Sequence, residues 1–318
     1  MKIKRLLSWL LVFVLCFALC ACKDASQDQS STSQETKPLL YRVTDEDGHV
    51  LWLFGSIHVG REDYYPLPEY VMNAFDGADS LAVEVDIIAF EGDMGLQMET
   101  LMPLMYMDGS SIKDHISQEL YDQAVEAFEG FDTYMSALDL YCPAFWSSML
   151  ESLLIEQLGA DIYLGIDRHL LEKAKENQKP ILEIESAASQ YQMLAGFSDE
   201  LQTFMLENSV QMCQNQAAAW MDLNLMMDLW ASGNEQNFAT YLAGSDENMT
   251  DEEKALYEEY NQALLTDRNL QMAEFARDAL LSGDEVFICV GAAHVIGEGS
   301  VSQLMAQWGY TVEQVVAE

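Results

Sequence analysis

Positive charge is what this chain has least of. Fifteen Lys and Arg stand against 53 Asp and Glu in 318 residues, a formal net charge of −38. Such a surface repels phosphate backbones, which argues against a DNA or RNA partner. The excess acid otherwise serves to keep the protein soluble. Cysteine is scarce too. Cys16, Cys20 and Cys22 lie near the N-terminus, which leaves Cys142, Cys213 and Cys289 for the body of the protein. An odd number in so long a chain is no disulfide scaffold, although one bridge between Cys142 and Cys213 stays open. Cys289 sits in an apolar run and reads as a buried small hydrophobe. Also missing are a His-Glu-x-x-His helix, a Gly-x-Ser-x-Gly elbow, a Walker loop and a Gly-x-Gly-x-x-Gly turn. Zincin, serine-elbow, P-loop and dinucleotide-binding chemistry lose their usual signatures with them.

What is present begins at the N-terminus. Lys2, Lys4 and Arg5 precede an almost wholly apolar run from Leu6 to Ala21. That order is the n- and h-region of a secretory signal, and the run is short for a membrane span of roughly 20 residues. It ends Leu19-Cys20-Ala21-Cys22, which resembles a bacterial lipobox with Cys22 as the modified residue. We therefore expect a signal over 1–21, lipidation of Cys22 and a flexible tether over 22–38, rich in Ser, Gln and Thr. Two acyl chains suffice for lasting attachment. The expected location is the extracytoplasmic face of the cell membrane, lipid-anchored.

From residue 39 the pattern alternates. Leu39–Val43 and Val50–Phe54 flank an Asp47-Gly48 turn and predict a hairpin. Ser80–Asp86 and Lys179–Ile184 read as further strands, Val286–Val290 as another, and Tyr310–Val316 as the last. Between them the spacing is helical, with an insertion at about 95–165 and a second helical region at about 186–281. Pro143 marks a helix start or kink. Thr250 with Glu253 forms a capping signature, and Asp199 to about Leu229 reads as one long helix. Met98, Met102, Met105 and Met107 suggest either an adaptable groove or core, with core the simpler expectation. The fold class is α/β (α+β): a central mixed sheet flanked by helices, in one domain over 39–318.

Chemistry concentrates at strand ends. Leu51–Phe54 runs into Gly55-Ser56-Ile57-His58, and Val286–Val290 into Gly291-Ala292-Ala293-His294. Each is an apolar strand delivering Gly-x-x-His at its tip, where an α/β scaffold displays its reactive groups. Neutral imidazole is both a metal ligand and a base near neutral pH. Glu84 closes another apolar strand, where a carboxylate needs a partner or a metal. Asp86 offers an alternative, and Glu183 and Glu185 repeat the arrangement. Two histidines with Glu84 make a plausible ligand set for a divalent ion such as Mn, Co or Zn, which would activate water. Arg268 stands out among so few basic residues. It would hold a substrate carboxylate or close an internal ion pair. His115 and His169 receive no role.

Taken together, these pieces resemble the TraB/PrgY/GumN family, related to the Tiki membrane-tethered proteases. The likeness runs from about Leu39 to Val316. Its carriers are Leu53–His58, Val83–Asp86, Leu182–Ser186 with Gln190, Arg268-Asn269 with Met272-Ala273, Val290–Gly297, and Gly309–Val312. The resemblance implies an α/β fold with paired Gly-x-x-His motifs and a metal-dependent peptidase. It supports His58, Glu84 and His294 as the central metal site, with Glu185 as a neighbouring group or base and Arg268 orienting substrate. A C-terminal membrane segment is absent from the sequence, so the N-terminal lipid is the expected anchor. The expected function is peptide hydrolysis at the membrane surface. The alternative is a surface protein that binds and sequesters a peptide or pheromone without cleaving it.

Overall fold

A computed structural model describes residues 36–244 and 249–316. The expected leader, Cys22 as the expected lipidation site and nearly all of the expected tether lie outside the described residues.

The sequence folds as a mixed α/β structure around one six-stranded sheet. Its strands are β1 (Leu40–Thr44), β2 (Val50–Ser56), β3 (Ser80–Val83), β4 (Ile181–Glu183), β5 (Val286–Gly291) and β6 (Thr311–Gln314), in the order β4-β3-β5-β2-β1-β6. β1 and β2 form the expected antiparallel hairpin, and β6 adds antiparallel to β1. β2, β5, β3 and β4 run parallel to one another. β5, drawn from near the C-terminus, inserts between β3 and β2. All six residues of β5 are buried, which is why Val286–Val290 is continuously apolar.

Ser56 pairs with Gly291 and Val83 with Cys289, while Val83 also faces Glu183 across β4. The four parallel strands therefore end at one level, and whatever follows each of them gathers at a single edge of the sheet. Helices Glu69–Gly77, Ile166–Glu176, Gln216–Ser232 and Asp267–Ser282 contribute to the core that encloses the sheet. A second core lies among the helices between β3 and β5, built on Phe128, Phe145, Trp146 and Leu206. Pro143 opens the helix Pro143–Gln157, where its missing N–H costs nothing.

Three expectations change. The helix expected from Asp199 to about Leu229 is two, Asp199–Gln214 and Gln216–Ser232, parted at Asn215, whose φ of −126° and ψ of 57° lie outside the helical well. The four methionines Met98, Met102, Met105 and Met107 do not form core: Met105 is half-buried and the other three are exposed, as is Met94. Met94, Met98, Met102 and Met107 are all more than half exposed, the first three spaced by four residues along the helix Met94–Leu101 and the turn after it. Cys142 and Cys213 are both free thiols. The Thr250–Glu253 capping box is formed in full.

Candidate functional site

The sheet edge collects His58, Glu84, Glu185 and His294, each one to three residues beyond the end of β2, β3, β4 and β5 respectively. Arg268 reaches them from the helix Asp267–Ser282. A π-helical turn, Gln262–Thr266, precedes that helix, and its Leu264 carbonyl accepts from Arg268 Nη1. Such turns recur at functional sites because they re-aim the side chains that follow.

Arg268 is the centre of the cluster. Its Nε and Nη2 donate to the two oxygens of Glu185, both at 2.7 Å, and Nη2 also bonds Glu84 Oε2. Glu84 Oε1 accepts from the Gly291 backbone amide at 2.7 Å, and Glu185 Oε2 from Gln190 Nε2 at 2.8 Å. Glu84 and Arg268 are 5 % and 7 % exposed, so this is a buried ion pair whose members depend on one another. Burial opposes the charge on Arg268, but attraction to Glu84 and bonding to Glu185 outweigh it and hold the guanidinium more firmly cationic. Burial opposes the charge on Glu84 as well, and there it prevails. It raises the carboxyl above its ordinary range, with Glu185 adding to the rise, against the pull of Arg268, His58 and the Gly291 amide.

The two histidines are braced in different ways. His58 Nδ1 meets Asp167 Oδ2 at 2.9 Å. Burial works against protonation of His58, yet the charge and hydrogen bond of Asp167, with Glu84 behind it, raise its pKa. His294 Nδ1 meets Asn269 Oδ1 at 2.7 Å, while Asn269 Nδ2 donates to the Gly299 carbonyl at 3.0 Å. Because a carbonyl only accepts, Asn269 must turn its own oxygen toward His294. Nδ1 of His294 therefore carries the hydrogen, and Nε2 keeps a lone pair. Burial, Arg268 and His58 all drive His294 well below its usual pKa, so it stays neutral. The two imidazoles influence each other's charge, and the site pushes their proton affinities apart.

Asp167 reaches His58 through a close crossing of two loops. Ile166 N donates to Ile57 O at 3.0 Å, and Gly60 and Asp161 exchange backbone hydrogen bonds. A Cβ on Gly165 would stand 2.6 Å from the His58 carbonyl, and one on Gly60 would stand 1.8 Å from that of Leu164. Only glycine lets these backbones meet. Asp167 then lies in the first turn of the helix Ile166–Glu176, where a negative charge is favoured. The sequence assigned no role to Asp167 or to Asn269, although Asn269 stands among the carriers of the family resemblance. An acid at a helix start reads as dipole complement, and an Asn inside a helix carries no signal of its own.

The expected second-choice acids lie elsewhere. Asp86 caps the helix Ile87–Glu91 by accepting from Ala89 N, and pairs with Lys175 at 2.9 Å. Glu183 accepts from the Asp86 backbone amide. Arg268 closes the internal ion pair rather than standing open to a substrate carboxylate.

As a three-ligand metal set, His58, Glu84 and His294 do not fit. Both Glu84 oxygens are committed, one to a guanidinium and one to a backbone amide, and the fixed positive charge of Arg268 opposes a dication beside it. Among the described residues no three His, Cys, Asp or Glu side chains form a group that would hold an ion. The two imidazoles remain as nitrogen donors, each oriented through Nδ1 as ligating histidines usually are.

A small cavity opens beside His58. It is lined by Ser56, His58, Glu84, Asp167, Gln190 and Cys289 together with apolar Val83, Val85 and Ile87, and holds about 20 Å³. That is room for one water-sized group.

Comparison with known proteins agrees with this architecture. Two curated relatives, each described as an uncharacterized protein YbaP, come from Escherichia coli (strain K12) and Shigella flexneri. Each is 28 % identical over 255 residues, which cover 80 % of this chain and 86 % of the relative. No solved structure matches. The TraB/PrgY/gumN family model matches residues 39–314, which span the whole sheet and every residue of the cluster, and the chain belongs to that family.

Proposed function

We propose that this protein is a peptide hydrolase held by lipid on Cys22 at the extracytoplasmic face of the membrane. One observation carries the chemistry: two histidines just past the ends of adjacent parallel strands are braced through Nδ1 by different groups, a carboxylate on His58 and an amide oxygen on His294, which favours opposite protonation preferences. Displacing two titratable groups in opposite directions separates acid from base.

In this reading His58 shuttles the proton. Asp167 holds Nδ1–H and stabilises the imidazolium, leaving Nε2 to take a proton from the attacking water and return it to the leaving amine. His294 stays neutral and backs it with a lone-pair nitrogen. The Glu84–Arg268–Glu185 cluster fixes the field around both rings and positions them. Metal-dependent hydrolysis, expected from the resemblance, is favoured by the Nδ1 bracing of both imidazoles and opposed by the engagement of Glu84. No helix among the described residues is long and apolar enough to cross a membrane.

The test is cleavage of a mixed peptide library by the full chain, with and without chelator and with added Mn, Co or Zn. His58→Ala and Asp167→Asn are expected to lower kcat by about 10²–10⁴-fold. Undiminished cleavage by His58→Ala would sink the hydrolytic reading. Saturable peptide binding without product, in wild type as in variants, would leave the binding protein in its place.

A further inference from the structure

The cavity beside His58 is lined by buried polar atoms that the protein itself does not satisfy. Asp167 uses Oδ2 on His58, and its Oδ1 has no hydrogen-bond partner. Gln190, 4 % exposed, gives Nε2 to Glu185, which fixes its amide and leaves Oε1 as a second unpartnered acceptor. Ser56 Oγ lies against the Cys289 thiol, a weak partner, and finds no oxygen or nitrogen. Buried polar atoms without partners are rare in folded proteins. Here the three residues that carry them, Ser56, Asp167 and Gln190, all line one space of about 20 Å³.

The lining selects its ligand. Two of the three atoms only accept, so the group that enters must donate. Three carboxylates stand in the lining or next to it, Asp167 on His58 and both Glu84 and Glu185 on Arg268, so a positively charged donor is favoured over a neutral one. Val83, Val85 and Ile87 complete the wall, which suits a carbon stem behind the charged tip and not the full hydration shell of a metal ion. We propose that this cavity binds a primary ammonium group, with Asp167 Oδ1, Gln190 Oε1 and Ser56 Oγ receiving its three N–H bonds. On the hydrolytic reading above, that group belongs to the substrate, as a free peptide N-terminus or a lysine side chain, seated next to the proton-shuttling His58.

The test is binding, so it stands apart from turnover. Butylammonium is titrated into the isotope-labelled full chain against 1-butanol, with the Gln190 side-chain amide and the Ile87 methyl groups observed by NMR. Butylammonium is expected to shift both saturably, at least about tenfold more tightly than 1-butanol. Gln190→Leu and the milder Ser56→Ala, each checked for an intact spectrum, are expected to weaken it about tenfold and about threefold. Equal affinity for the alcohol, or no saturable shift, overturns the proposal. Tetra-alanine, N-acetyl-tetra-alanine and N-acetyl-lysine methylamide then tell an N-terminus from a lysine. Ammonium binding without cleavage of any peptide sinks the hydrolase and keeps the site. Cleavage with no ammonium binding does the reverse.

Discussion

Two buried carboxyl groups divide this molecule, and they are treated differently. Glu84, at the end of β3, has a guanidinium on one oxygen and a backbone amide on the other. Glu151 lies between the helices Pro143–Gln157 and Asp199–Gln214, 1 % exposed, with only the hydroxyls of Ser147 and Ser209 on Oε1 and nothing on Oε2. Burial pushes Glu151 up to about 8, and its two hydroxyl bonds only partly oppose the rise. The first carboxyl is kept in a charged network. The second is kept as an acid. The contrast teaches that burial alone does not mark a site: compensation by fixed charge does, and it occurs where the strand ends converge.

Removing the compensation gives the largest expected effect. Arg268→Met strands Glu84 and Glu185 without their cation, and unfolding in urea is expected to show a loss of about 3–5 kcal/mol. A loss under about 1 kcal/mol would mean that Glu84 is no more dependent on its partner than Glu151, and the contrast would collapse.

Glu151→Gln should act in the opposite sense. The folded protein holds the Glu151 proton up to about pH 8, whereas the unfolded chain releases it near 4.5. Stability from the protonated group is thus fully present below the unfolded value and is lost as pH rises toward the folded one. A neutral amide escapes that loss. The variant's advantage should grow between those two values, reaching on the order of 4 kcal/mol near pH 7.5, and then level off above pH 8. Thermal melts across this range that run parallel for wild type and variant would contradict it.

The smallest effect sharpens the comparison within the site. Asn269→Asp puts a carboxylate on His294 Nδ1, the arrangement His58 already has with Asp167. The His294 titration followed by NMR should move up by about one pH unit or more, and cleavage should fall by about 10–100-fold as the two rings lose their opposition. An unmoved titration would show that Asn269 does not set the tautomer.

Much of this was legible in the sequence. Strands carry period-two or continuous apolar runs, and Gly-x-x-His after two of them placed His58 and His294 correctly at one sheet edge. Glu84 and Glu185 followed from the oddity of acids closing apolar strands. Asp167 and Asn269 were not legible, because their roles depend on a loop crossing at Gly60–Gly165 and on the Gly299 carbonyl, both far away in sequence. The methionines misled for a different reason. Met94, Met98 and Met102 recur every four residues along the helix Met94–Leu101 and the turn after it, yet all three are exposed, and an apolar stripe does not say which way it faces.

The position of β5 also governs when this protein can exist. Synthesis from the N-terminus delivers β1 to β4 and nearly all the helices before residues 286–291 appear, yet those residues are the strand that joins β2 to β3. Until they arrive, two parallel edges face each other across an unfilled row, and neither the Gly291 amide for Glu84 nor the ring of His294 is at hand. A partly made chain therefore has Arg268 and both acids but lacks the backbone amide that holds the other oxygen of Glu84. Contacts of such long sequence separation delay folding until late in the chain's emergence, so the cluster at the sheet edge is assembled only once this fifth strand slides home between its neighbours.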